Sequence, residues 1–87
     1  MESKRWHDLS KRLLKSELVK RGISHDELAQ KLIEIGVKET KSSIDSKICR
    51  GTFSASFLLQ CLHVIGCEKL TIEHDLFETI ESYTQIK

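Results

Sequence analysis

Apolar residues return at helical spacing in four successive stretches, and each stretch ends at a glycine: Gly22, Gly36, Gly51 and Gly66. The residue that follows a helix commonly takes a left-handed turn, which glycine adopts without steric cost. The pattern therefore predicts consecutive short helices. The first runs over 3–21, with Trp6, Leu9 and Leu13 on one line and Leu14 and Leu18 beside it, a wide apolar stripe in which Trp6 is expected to anchor the core. Ser24 opens the second helix with Glu27 three residues later, the spacing of a capping box. Leu28, Ala29, Leu32 and Ile35 share its inward face, Gly36 closes it, and Val37 supplies the apolar contact that often follows such a cap. Thr40 caps a third helix over about 40–50, in which only Ile44 and Ile48, one turn apart, are expected to face inward. Ser54 caps a fourth that continues to Ile65; it is apolar nearly all round and so is expected at the centre of the fold. Leu76, Phe77 and Ile80 predict a fifth helix over 72–83, in an acidic background. The expected fold class is all-α, a compact five-helix bundle in a single domain over 1–87.

Composition agrees with that picture: 39% hydrophobic and 31% charged residues, with no proline, suit a folded helical chain. No apolar run approaches the length of a membrane span and the N-terminus lacks the apolar region of a secretory signal, so a cytoplasmic protein without membrane contact is expected. Cys49, Cys61 and Cys67 are odd in number and form no C-x-x-C pair, which argues for reduced thiols and against a zinc site; no metal or cofactor is expected. The formal net charge is +1, yet residues 1–52 hold twelve Lys and Arg against eight Asp and Glu, whereas 53–87 hold two against five. A cationic first half can face an anion and the second half cannot. The third helix sharpens this point. Lys41-Ser42-Ser43 and Asp45-Ser46-Lys47 surround its two inward isoleucines with short polar or cationic side chains, a poor choice for helix propensity alone. Small hydroxyls and lysines suit a helix that lies in a DNA groove, where bulky side chains would hold it away.

No phosphate-cradling glycine loop, G-x-S-x-G, H-E-x-x-H or C-x-x-C occurs, and no carboxylate pair stands out as acid and base, so the chain is not expected to be an enzyme. Ile23-Ser24-His25-Asp26-Glu27-Leu28-Ala29-Gln30-Lys31-Leu32, then Gly36-Val37, then Ser46-Lys47-Ile48-Cys49-Arg50-Gly51, resembles the helix-turn-helix of the lambda repressor and Cro-like superfamily, over roughly 13–70. The stretch from Arg50 to Leu62 is also similar to one in a group of small bacterial domains of unknown function. Against the superfamily pattern, Ile33-Glu34-Ile35 lengthens the second helix by almost one turn and Cys49 stands in place of a glutamate. The resemblance implies a sequence-specific DNA-binding domain in transcriptional control, with the third helix in the major groove and double-stranded DNA as partner. By the same resemblance His25 and Gln30 would lie by the phosphate backbone, Lys41, Ser42, Ser43, Asp45, Ser46 and Lys47 would face base edges, and Arg50 and Thr52 would contact phosphate. The apolar C-terminal segment suits a homodimer. The near-neutral charge and that same segment equally fit a non-enzymatic protein-interaction or antitoxin-like module that kept the fold without the DNA contact.

Overall fold

The computed structural model describes residues 2–72, which form four helices: α1 (Glu2–Arg21), α2 (His25–Glu34), α3 (Lys41–Arg50) and α4 (Ala55–Val64). No strand occurs among the described residues. The fifth helix expected over 72–83 falls, beyond Ile72, outside them.

Local chemistry sets where these helices begin. Ser24 accepts from the Glu27 backbone N–H while the Glu27 carboxylate accepts from the Ser24 N–H, and Thr40 and Ser43 make the same reciprocal pair at the start of α3. Ser54 caps α4 through the Phe57 N–H. At the other end of α2 the Gly36 N–H bonds to the Ile33 carbonyl and the Val37 N–H to the Leu32 carbonyl, the paired bonds of a Schellman motif. Val37 then packs against the core as expected.

One core gathers Leu14 and Leu18 of α1, Leu28, Ala29 and Leu32 of α2, Ile44 and Ile48 of α3, and Phe57, Cys61 and Leu62 of α4, with Ile65 beyond it. Each fully buried leucine or isoleucine contributes roughly 1.5–3 kcal/mol relative to an exposed one. α3 lies against both α1 and α2, and α2 against α4. At the exit of α3 the chain passes close to α1: Gly51 has a φ of +68°, and a Cβ there would overlap the His7 carbonyl.

Three expectations shift. Trp6 is 46% exposed and does not anchor the core; the most buried positions of α1 are Leu14 and Leu18. Ile35 lies past the end of α2 and is 45% exposed. Among the described residues α4 buries Phe57, Cys61 and Leu62 but leaves Leu59 65% exposed, and the core is shared by all four helices. Among the described residues no helix is long and apolar enough to cross a membrane.

Candidate nucleic-acid interface

The turns of α3 divide its polar side chains into three sets. Ile44 and Ile48 point into the core, so residues one position away on either side lie at its rim. On one rim, Ser43 and Lys47 meet Glu39, a buried carboxylate one residue before the cap: Ser43 Oγ donates to Glu39 Oε1 at 2.6 Å and Lys47 Nζ to Oε2 at 2.5 Å. The Lys47 ammonium also lies 4.7 Å from the centroid of the Phe57 ring at the start of α4, a favourable placement for a cation over an aromatic face. Burial pushes the Glu39 carboxyl up, but donation from Lys47 and Ser43 outweighs it and holds the group below the usual carboxylate range. Burial also pushes the neighbouring Cys61 thiol up to about 12, and the Glu39 charge adds to that shift.

On the opposite rim, Asp45 Oδ1 pairs with His25 Nδ1 of α2 at 2.5 Å and Oδ2 accepts from Lys41 Nζ at 2.8 Å. The hydrogen bond from Lys41, then that from His25, lowers the Asp45 carboxyl, and Asp45 in turn raises the Lys41 ammonium. This pair is well solvated, with side-chain exposures of 60% for Lys41 and 42% for Asp45.

Ser42, Ser46, Cys49 and Arg50 then form the outward face, all exposed. Arg50 lines two adjoining depressions. One, of about 350 Å³, is bounded by Asp45, Ser46 and Cys49; the other, of about 260 Å³, lies between the exit of α3 and the start of α4 and is bounded by Lys47, Thr52, Phe53, Ser54 and Phe57. Among the described residues Arg50 makes no ion pair or hydrogen bond through its guanidinium. It is the cation on α3 most open to an external anion.

Of the residues expected at a DNA surface, Ser42, Ser46, Arg50 and Thr52 are thus presented outward together, and Lys41 beside them. Gln30 is exposed on α2. His25 and Asp45 are engaged with each other, joining α2 to α3. Ser43 and Lys47 depart from the expectation that they face outward: both are committed to Glu39. Sequence reasoning singles out neither Glu39 nor Glu17, the latter buried in α1 beside Lys20 and Arg21. The signal for Glu39 lies in spacing: it precedes Ser43 by four residues and Lys47 by eight, so a carboxylate just before the cap continues the line that Ser43 and Lys47 make on α3.

The three thiols sit apart, Cys49 exposed, Cys61 buried and Cys67 partly buried. Among the described residues no three His, Cys, Asp or Glu side chains gather in a way that could hold a metal ion.

Residues 6–70 match the family described as a domain of unknown function, DUF6471, a span that includes nearly all of α1 and the whole of α2, α3 and α4. No curated protein and no solved structure matches the chain. With three quarters of its length matched, the chain belongs to the DUF6471 family.

Proposed function

We propose that this DUF6471 domain is a non-enzymatic, sequence-specific DNA-binding module of the lambda repressor-like kind, acting in transcriptional control in the cytoplasm, with α3 as the helix that enters the major groove. The observation that carries the reading is the outward face of α3. Ser42 and Ser46 are short, Arg50 is long, cationic and unpaired among the described residues, and the one other side chain of this face, Cys49, is small. Such a face lets the helix backbone come close to base edges, while an arginine at its end can grip a guanine edge or a phosphate with two parallel N–H donors. The caps at Thr40 and Gly51 and the clamps on both rims hold the helix in one orientation, as base readout requires. Homodimerisation through the segment around 72–83 belongs to the same proposal, because two-fold symmetric readers double the bases they contact.

A protein-interaction module is the second reading, favoured by the exposed Ile33, Ile35 and Leu59 and by the equal numbers of cations and carboxylates between Ser24 and Thr52.

Fluorescence anisotropy of a labelled mixed-sequence duplex, titrated with the purified chain at several salt concentrations, decides between them. The DNA reading expects salt-dependent binding in the micromolar range or tighter, and Arg50→Ala should lower the slope of log K against log salt by about one unit. No binding at low salt overturns it in favour of the protein partner.

A further inference from the structure

We infer that Glu39 is a positioning residue that holds Lys47 as an intramolecular counter-ion and so withholds this lysine from DNA, leaving Arg50 and Lys41 as the cations of α3 open to phosphate. The step to DNA rests on the proposed function; the clasp itself does not.

Two lysines on the same helix make the contrast. Lys41 pairs with Asp45 in the open, where water and salt screen both charges, so a DNA phosphate can take over from the carboxylate at little cost. Lys47 pairs with a carboxylate whose side chain is only 7% exposed, and its own side chain is 36% exposed. Both Glu39 oxygens are occupied, one by Lys47 and the other by Ser43. If Lys47 swung out to a phosphate, Glu39 would keep its charge with the Ser43 hydroxyl alone, and a buried charge that loses its counter-ion is strongly disfavoured. The departing ammonium would also give up the Phe57 ring. A solvent-screened phosphate contact does not offset both losses, so the clasp stays closed.

The position of Glu39 makes this more than a local pair. It sits in the connection between α2 and α3, bonds to Ser43 in the first turn of α3, and through Lys47 reaches the first turn of α4. One carboxylate thereby ties the candidate reading helix to the connection before it and, through Lys47, to the start of α4. The cationic character that Lys47 lends the sequence of α3 is cancelled at this tie.

Two measurements test the inference. Amine-reactive labelling followed by peptide mass spectrometry needs no DNA: Lys47 should label more slowly than Lys41 in the native chain, and at a rate comparable with Lys41 in Glu39→Gln. Equal rates in the native chain overturn the clasp whether or not the variant folds. Salt titrations on the duplex test the withholding. Lys47→Met should leave the slope of log K against log salt unchanged, whereas Glu39→Gln, with Lys47 freed, should steepen it by about one unit. The double variant Glu39→Gln/Lys47→Met should return to the native slope. A slope reduced by about one unit in Lys47→Met makes Lys47 a phosphate contact and overturns the inference. Absence of DNA binding in every form overturns the DNA reading and the withholding with it, and the labelling result then stands for the clasp alone.

Discussion

Residues 1–23, almost all of them in α1, carry seven Lys and Arg against three Asp and Glu, whereas the span from Ser24 to Thr52, which contains α2 and α3, carries five of each. The two regions also differ in how their charges are paired. In α1, Asp8 reaches Lys11 and Arg12, and Glu17 reaches Lys20 and Arg21, all within one turn of the same helix. Around α3, Asp45 pairs with His25 of α2 and Lys47 with Glu39 of the preceding connection. Pairs within a turn support the helix that contains them and leave its position free. Pairs between elements fix how one helix sits on another. Under the DNA reading, α1 supplies most of the long-range attraction to an anion and the pairs around α3 supply orientation, so the two tasks are divided between helices.

Gly51 lies where the two regions meet, and its substitution should have the largest effect. Its left-handed backbone already disfavours a side chain, and a Cβ would drive into the His7 carbonyl of α1. Gly51→Ala should cost roughly 2–4 kcal/mol, the sum of left-handed strain and overpacking, in urea denaturation. Gly22→Ala is the matched comparison, since Gly22 is equally left-handed but a Cβ there would meet nothing within 4 Å; about 1 kcal/mol is expected there. Equal costs at the two glycines would show that α1 does not rest on Gly51. Next in size is Lys47→Met, which leaves the Glu39 carboxylate without its cation and should destabilise by about 2 kcal/mol at neutral pH. A loss no larger than that of an exposed lysine would remove the distinction between pairing around α3 and pairing in α1.

The helix boundaries were legible because they depend on neighbours in sequence. Ser24, Thr40 and Ser54 cap the helices expected of them, and Gly22, Gly36, Gly51 and Gly66 all take positive φ. Ile44 and Ile48 face inward for the same reason, as the apolar pair at helical spacing in a polar helix. Periodicity shows which residues share a face but not which face finds cover. Trp6 and Leu59 look like core residues, yet they are 46% and 65% exposed and neither belongs to the core cluster among the described residues. The candidate site was legible only in outline. The outward set of Ser42, Ser46 and Arg50 follows from the position of the isoleucines. That Lys47 is clasped depends on Phe57, ten residues further on and in the next helix, and on a carboxylate whose burial no composition reveals.

The smallest effect expected is at Glu17, and its pH dependence sharpens the comparison with Glu39. Glu17 is buried, accepts from Arg21 at 2.6 Å and Lys20 at 3.1 Å, and receives the Cys67 thiol at 3.7 Å. The hydrogen bond from Arg21 outweighs burial, so the Glu17 carboxyl, like that of Glu39, ionises below its ordinary value of 4.5. Below that value the unfolded chain binds more protons than the folded one, so the stability that both carboxylates contribute is complete at neutral pH and is lost as acid protonates the folded groups. Glu17→Gln should therefore cost about 1 kcal/mol at pH 7, because Arg21 and Lys20 lie in the same turn and turn readily to water. The cost should shrink as the pH falls below 4.5, where the native carboxyl also becomes neutral. Urea midpoints of the native chain, Glu17→Gln and Glu39→Gln from acid to neutral pH measure both differences. A Glu17→Gln cost that exceeds the Glu39→Gln cost at neutral pH would reverse the ranking of inter-element over local pairing and move the principal electrostatic tie of the fold from α3 to α1.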